Sequence, residues 1–159
     1  MRQPITLMAL VLGFFTLPTA VFADDVEDVK AAYIKHITLS RTGQVDAFLE
    51  QHEPGHTAFG PNGALLSRFD SLEDEKKFRQ AAARNLNPEA FDSQSLGQLV
   101  RHMEVQVYGT AAVLTTYLQG PITLPDRTQR QGTRRVTSVW VKQGNRWTEV
   151  HDHMSPLVP

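Results

Sequence analysis

The sequence predicts an α+β fold in which three helices precede a run of four antiparallel strands. Two observations carry this prediction. Apolar residues recur at helical spacing in the first half of the chain, whereas from residue 99 onward they alternate with polar residues as in half-buried strands. Helices followed by strands are typical of α+β proteins, whose helices pack on the sheet. We therefore expect three helices against one face of a curved sheet, with a cavity between the layers.

The beginning of the chain predicts export. Residues 5–15 are mostly apolar, Arg2 precedes them, and the segment ends in small residues that suit a cleavage site. We predict a signal peptide over 1–23, cleaved after Ala23, and a mature periplasmic or secreted domain over 24–159 with no membrane contact. An uncleaved anchor is the alternative, but a proline and two threonines interrupt a stretch that is barely long enough to span.

Three helices are predicted in the first half, over 24–40, 44–52 and 71–85. Tyr33 lies on the apolar stripe of the first helix, so we interpret it as a core residue with its hydroxyl near the cavity. Ser71 opens a capping-box-like sequence at the start of the third helix. Glu75 and Arg79 are spaced to pair on the same helix.

Four strands are predicted in the last third, over 99–108, 111–120, 132–142 and 146–155. His102 and Tyr117 would face each other across the first hairpin. Gly144 and Asn145 stand where a two-residue turn would join the last two strands. Four strands joined in this way account for the alternation of apolar and polar residues over 99–155.

The last hairpin is predicted to carry a polar face. Counting outward from the turn puts Trp140 opposite Glu149, and Ser138 opposite His151. One face then holds two imidazoles, a carboxylate and a tryptophan, which suits a polar ligand pocket or general acid–base chemistry. The alternative is that His151 and His153 are structural residues. No metal site is predicted, because two histidines without a clear third ligand are weak evidence for one.

The segment HEPGH (52–56) matches the H-E-x-x-H pattern of zinc proteases. That site requires both histidines one turn apart on a helix. Pro54 and Gly55 oppose a helix, at a cost of about 3 and about 1 kcal/mol respectively. We therefore predict no zinc here, and interpret residues 53–67 as loop and turn with a short strand near 57–59.

Composition excludes several further classes of function. The 159 residues include no cysteine, which excludes disulfides, thiol catalysis and thiolate metal sites. The predicted mature domain, which lacks Arg2, has 15 basic and 17 acidic residues, and no segment of it combines basic with aromatic residues. We therefore expect no nucleic-acid partner. No feature of the sequence indicates a cofactor, and none is predicted.

The C-terminal sequence resembles the association (hub) domain of calcium/calmodulin-dependent protein kinase II and its bacterial relatives. That family has a T-x-V-W stretch, a turn, and then G-x-W-x-x-V-H-x-H-x-S. The matching residues in this chain are Thr137, Val139, Trp140, Gly144, Trp147, Val150, His151, His153 and Ser155. The family's D-P-x-x-T-x-F-x-P segment is similar to EPGHTAFGPNG through Pro54, Thr57, Phe59 and Pro61. The resemblance spans most of 26–156 and extends to the SnoaL-like, or nuclear-transport-factor-2-like (NTF2-like), superfamily.

The resemblance implies a cone of helices over a curved antiparallel sheet. Its superfamily includes ketosteroid isomerases, polyketide cyclases, dehydratases and non-enzymatic oligomerisation modules, so the fold does not choose a function. Leu118 and Ser138 stand where the kinase hub has pocket arginines, and Arg134, on the same predicted face, is the candidate substitute.

We expect the domain to bind a small organic molecule in its cone, with His151 and His153 as catalytic, proton-transferring residues. The predicted pocket is lined by Tyr33, Tyr117, Arg134, Ser138, Trp140 and Glu149. Trp140 would stack on the ligand, and Arg134 would meet an anionic group. The alternative is a module without catalysis that forms a homodimer or higher oligomer through the apolar sheet face of Val139, Val141 and Val150. The sequence leaves open whether the protein is an enzyme.

Overall fold

The computed structural model describes residues 19–60, 65–85, 99–123 and 128–157. The helices are α1 (Thr19–Arg41), α2 (Val45–Leu49) and α3 (Leu72–Asn85). The strands are β1 (His52–Phe59), β2 (Leu66–Arg68), β3 (Leu99–Tyr108), β4 (Ala111–Thr123), β5 (Gln129–Gln143) and β6 (Arg146–Pro156). The predicted α+β class is confirmed, as are the three helices and the four C-terminal strands. Pro61, the predicted loop over 86–97 and most of the predicted signal peptide lie outside the described residues.

All six strands form one sheet, in the order β2-β1-β6-β5-β4-β3. Strands β3 to β6 form the predicted antiparallel run, and β1 extends it by pairing parallel to β6. Strand β2 and residues 52–56 of β1 were not predicted as strands. This addition matters for function, because it places the HEPGH segment beside the end of the last hairpin.

Helix α1 covers the inner face of the sheet. Val29 and Tyr33 of α1 are buried in one cluster with Leu114, Trp140 and Trp147 from the strands. Full burial of an apolar side chain of this size stabilises the fold by about 1.5–3 kcal/mol. This contact fixes the rotation of α1 about its axis. The apolar stripe of α1, with any polar residue on it, therefore faces the sheet. Among the described residues, no helix combines the length and apolarity needed to cross a membrane.

The hairpin of β5 and β6 has the predicted turn, but its register changes after Glu149. Gly144 has a φ of 62°, as a tight hairpin turn requires at its first central position, and Trp140 pairs with Glu149 as predicted. A bulge then leaves Val150 unpaired, so that Ser138 pairs with Asp152 instead of His151. One extra residue exchanges the two faces of a strand. The predicted register beyond Glu149 is therefore wrong.

Candidate functional site

The HEPGH segment is an irregular strand that brings its two histidines together. His52 pairs with Glu149 and Thr57 with His151, so β1 uses five residues where β6 uses two. Gly55 has a φ of 88°, which suits a residue without a side chain, and Pro54 has no N–H to donate to the sheet. The excess residues interrupt the regular pairing, and the rings of His52 and His56 stack with centroids 4.1 Å apart. The predicted absence of a helix is confirmed, yet the histidines meet.

Four elements surround this histidine pair with ionisable side chains. Helix α1 contributes one residue, β1 two, α3 one and β6 two. We call the set the buried histidine–carboxylate cluster, and its members are His36, His52, His56, Glu75, Glu149 and Asp152. Five of them are buried, whereas the side chain of Asp152 is 23% exposed. The cluster therefore has a closed interior and one member that reaches solvent.

Glu75 anchors one end of the cluster. Both of its oxygens lie 2.9 Å from Nδ1 of His52, and Arg79 donates to the same carboxylate from Nε at 2.7 Å. Burial alone would raise the pKa of Glu75, but His52, His56 and Arg79 outweigh burial and hold it well below its usual range. An ionised carboxylate only accepts hydrogen bonds, so Nδ1 of His52 is the donor.

Glu149 lies at the other end, where three imidazoles converge. Its Oε2 atom is 3.3 Å from Nε2 of His36, 3.3 Å from Nε2 of His52 and 3.7 Å from Nε2 of His56. Within the described part of the chain, Oε2 of Glu149 and Nε2 of His52 and His56 have no hydrogen-bond partner. Burial raises the pKa of Glu149, but the surrounding histidines outweigh it and leave the pKa below its usual range.

The cluster shifts the pKa values of three further members, His36, His56 and Asp152, in different directions. Burial lowers the pKa of His36 to about 4. Burial also opposes the charged form of His56, but the carboxylates of Glu149 and Glu75 outweigh it and raise the pKa to about 9. Burial and the charge of Glu149 raise the pKa of Asp152 to about 7. Asp152 lies 3.6 Å from Nε2 of His56, so a group that titrates near neutrality stands beside a charged imidazole.

The model of the SnoaL-like domain matches residues 29–159, most of the chain and the whole of this cluster. The chain belongs to the SnoaL-like domain family. No curated protein matches it.

Solved structures show the same fold as this SnoaL-like domain. A CaMKII hub from S. rosetta is 24% identical with a TM-score of 0.68, over 83% of this chain and 96% of the hub. An NTF2-like protein of unknown function from Pseudomonas putida is 14% identical, with a TM-score of 0.65 over 86% of this chain and 89% of that one. A Streptomyces avermitilis protein of the NTF2-like family, suggested to be a dehydratase, is 15% identical. Its TM-score is 0.66, over 86% of this chain and 99% of that one. The predicted superfamily is confirmed.

Several predicted pocket residues of the SnoaL-like domain lie at or beside the cluster. Glu149 belongs to it. Trp140 is buried, contacts His36 edge-on at 5.9 Å between ring centroids, and donates a hydrogen bond from Nε1 to Oγ of Ser138 at 2.8 Å. Tyr33 stacks near His36 at 6.5 Å, and burial together with Glu149 raises the pKa of its hydroxyl. The structure therefore brings these four residues together, and their role in lining a ligand pocket stays a prediction.

Four other predicted site residues lie elsewhere. His151 and His153 pair with Val139 and Thr137 on the outer face, because the bulge at Val150 turns them away from the cluster. Nδ1 of His151 meets Oγ1 of Thr57 at 2.8 Å, and the rings of both histidines contact Phe59.

Tyr117 is 38% exposed and alternates with the inward Thr116 and Leu118, so it too faces outward. Its ring contacts His102 edge-on at 6.2 Å, as predicted for the first hairpin. Arg134 is buried on the inner face, and burial lowers its pKa, but no hydrogen bond or ion pair joins it to the cluster among the described residues. The roles predicted for these four residues remain predictions.

Five members of the cluster were not predicted as site residues: His36, His52, His56, Glu75 and Asp152. One signal was available: Val29, Tyr33 and His36 follow one another at helical spacing, which places an imidazole on the buried stripe of α1. Asp152 gave no such signal, because its inward direction depends on the bulge.

Proposed function

We propose that this SnoaL-like domain is an exported protein that binds a small organic molecule at the solvent-facing end of the buried cluster and transfers protons to or from it. The pair of Asp152 and His56 is the observation that carries this proposal. The two side chains lie 3.6 Å apart, and Asp152 alone among the cluster members reaches solvent substantially. General acid–base catalysis needs a group with this access and with a neighbour that stabilises its charge.

The reaction class that fits is proton transfer at a carbon acid, as in an isomerisation or a dehydration. Asp152 acts as the acid or base that contacts the substrate. His56 stabilises the carboxylate form of Asp152, and Glu75 and Glu149 hold His56 in its charged form. Tyr33, with a hydroxyl that lacks a hydrogen-bond partner in the described chain, is the candidate donor to a substrate oxygen.

Hydrogen exchange tests the proposal without knowledge of the substrate. Small ketones and hydroxy-ketones are incubated with the protein in D₂O, and deuterium incorporation beside the carbonyl is followed by NMR. We expect the wild-type protein to catalyse exchange of at least one compound, and Asp152→Asn to lose it. The matched control is the double variant His151→Ala, His153→Ala, which should retain exchange. No exchange by the wild type, or equal exchange by Asp152→Asn, would contradict the proposal.

Export is a separate part of the proposal. It rests on the apolar segment that ends at Ala23, because a basic residue, a short apolar run and small residues describe a cleavable leader. Expression of the whole chain in a bacterium and mass spectrometry of the periplasmic fraction should give an N-terminus at Asp24. Recovery of the unprocessed chain in the cytosol would contradict it.

A second candidate function is assembly of several copies through the outer face of the sheet. Val113 and Val139 pair on that face with Val141 beside them, and Tyr117 lies exposed there. The similarity to a CaMKII hub supports this candidate. Light scattering of the purified protein should give a multiple of the chain mass, and Val139→Lys should reduce it to one chain. A monomeric wild type would exclude this function.

A further inference from the structure

Three ligand atoms converge in the interior of the cluster, and Asp152 does not contribute any of them. They are Nε2 of His36, Nε2 of His52 and Oε2 of Glu149, and all lie within 4.8 Å of one another. Each nitrogen is 3.3 Å from the oxygen. Metal–ligand bonds of about 2.0–2.1 Å at tetrahedral angles separate ligand atoms by about 3.3–3.4 Å. The two nitrogen–oxygen separations therefore match two edges of a tetrahedral coordination shell.

An imidazole binds a metal only in its neutral form, with a lone pair on the ligating nitrogen. Glu75 accepts from Nδ1 of His52, so in that form the lone pair lies on Nε2. That lone pair faces Oε2 of Glu149, and both atoms are buried without a hydrogen-bond partner among the described residues. A hydrogen bond to a carboxylate usually closes to about 2.7–2.9 Å, which the 3.3 Å separation does not reach. A cation between the atoms satisfies both.

The surroundings have the form of a supported metal site. Histidine ligands in proteins usually donate their second ring N–H to a carboxylate, which fixes the tautomer and the ring orientation. His52 does this with Glu75, and Arg79 holds Glu75 in turn.

We propose that His36, His52 and Glu149 bind one divalent first-row transition-metal ion, of which Zn²⁺ is the representative. Two imidazoles and one carboxylate suit this class, whereas Ca²⁺ and Mg²⁺ require shells made of oxygen. This site goes beyond the proposed function, because it uses ligands other than Asp152. It also gives the two histidines of the rejected zinc-protease motif distinct roles, since only His52 belongs to the ligand set.

Zinc titration of the chelator-stripped protein tests the site directly. We expect the wild type to bind one Zn²⁺ per chain by calorimetry and to melt at a higher temperature once loaded. Glu149→Gln should abolish binding. Glu75→Gln leaves the three proposed ligands in place but removes the carboxylate that orients His52, so the folded variant should bind about 10–100-fold more weakly. His102→Asn is the matched control for adventitious binding by an exposed histidine and should bind as the wild type does.

Three results would overturn the inference. They are no stoichiometric binding by the wild type, unchanged binding by a folded Glu149→Gln, and loss of binding in the control. Should Glu149→Gln fail to fold, X-ray absorption of the zinc-loaded wild type decides, because a shell without two imidazoles contradicts the assignment. Asp152→Asn separates this inference from the proposed function: it should lose hydrogen exchange and keep its Zn²⁺, and loss of the Zn²⁺ would contradict the ligand set.

Discussion

Glu75 holds Nδ1 of His52 with both carboxylate oxygens, and this contact attaches α3 to the sheet. Of the α3 side chains described, residues 72–81, Glu75 is the only one that is buried. The rest of the helix relies on weaker contacts, such as the guanidinium of Arg79 above the ring of Phe48 at 4.3 Å. One polar residue thus positions a whole helix and completes the site.

Glu75→Gln should therefore destabilise the protein strongly. The substitution leaves Arg79 and His52 without their shared anion in the interior, and breaking a buried pair in this way costs about 3–5 kcal/mol. Asp70→Asn is the matched control, because its pair with Arg68 is exposed and should change the free energy of unfolding by less than about 1 kcal/mol. Urea unfolding of the chelator-stripped protein measures both. Equal effects would contradict the anchoring role of Glu75.

His56 should make the metal-free protein less stable in alkaline solution. Its pKa is about 9 in the folded protein, against an ordinary value of 6.5. A raised pKa means that the folded state binds the proton more tightly, so the stabilisation is complete below pH 6.5 and is lost as the pH rises to 9. Its size is on the order of 3 kcal/mol. Urea midpoints measured from pH 6.5 to 9.5 should fall for the wild type, and the fall should shrink in His56→Gln. An equal fall in both proteins would assign the effect to another group.

Regular spacing made most of the fold predictable. The alternation from Leu99 onward and the turn at Gly144 predicted four strands to within a few residues, and the capping sequence at Ser71 predicted α3. Ser71 does exchange hydrogen bonds with Asp74. The first part of β1, residues 52–56, escaped prediction because Pro54 and Gly55, which exclude a helix, also obscure the period of an irregular strand.

The site was less predictable, because it depends on two departures from regular period. The bulge at Val150 reverses every side chain after Glu149, so that counting from the turn selects His151 where the fold selects Asp152. The excess residues in β1 bring His52 beside His56, which a regular strand would hold about 13 Å apart. Both departures depend on strand pairing between segments that are distant in the sequence. A local sequence pattern carries no information about such pairing.

Gly55 should be difficult to replace, for reasons of backbone conformation alone. A Cβ atom at this position would meet nothing within 4 Å, but φ is 88°, where residues with side chains are strained. Gly55→Ala should destabilise the protein by about 1–2 kcal/mol, whereas Gly55→Asn should cost less, because asparagine tolerates positive φ better. Thermal unfolding compares the two variants with the wild type. Equal stability of Gly55→Ala and wild type would show that β1 does not need this conformation.

Ser138 should be needed to satisfy the indole of Trp140. Both side chains are fully buried, and the hydroxyl of Ser138 accepts the hydrogen bond from Nε1. Ser138→Ala leaves that N–H without an acceptor in the interior, which costs about 1–3 kcal/mol. Ser40→Ala on the exposed side of α1 is the matched control and should stay within about 0.5 kcal/mol of the wild type. Urea unfolding gives both values, and Trp140 fluorescence, recorded in a Trp147→Phe background, should shift in Ser138→Ala only. A control variant that lost as much stability would show that the loss does not come from the indole.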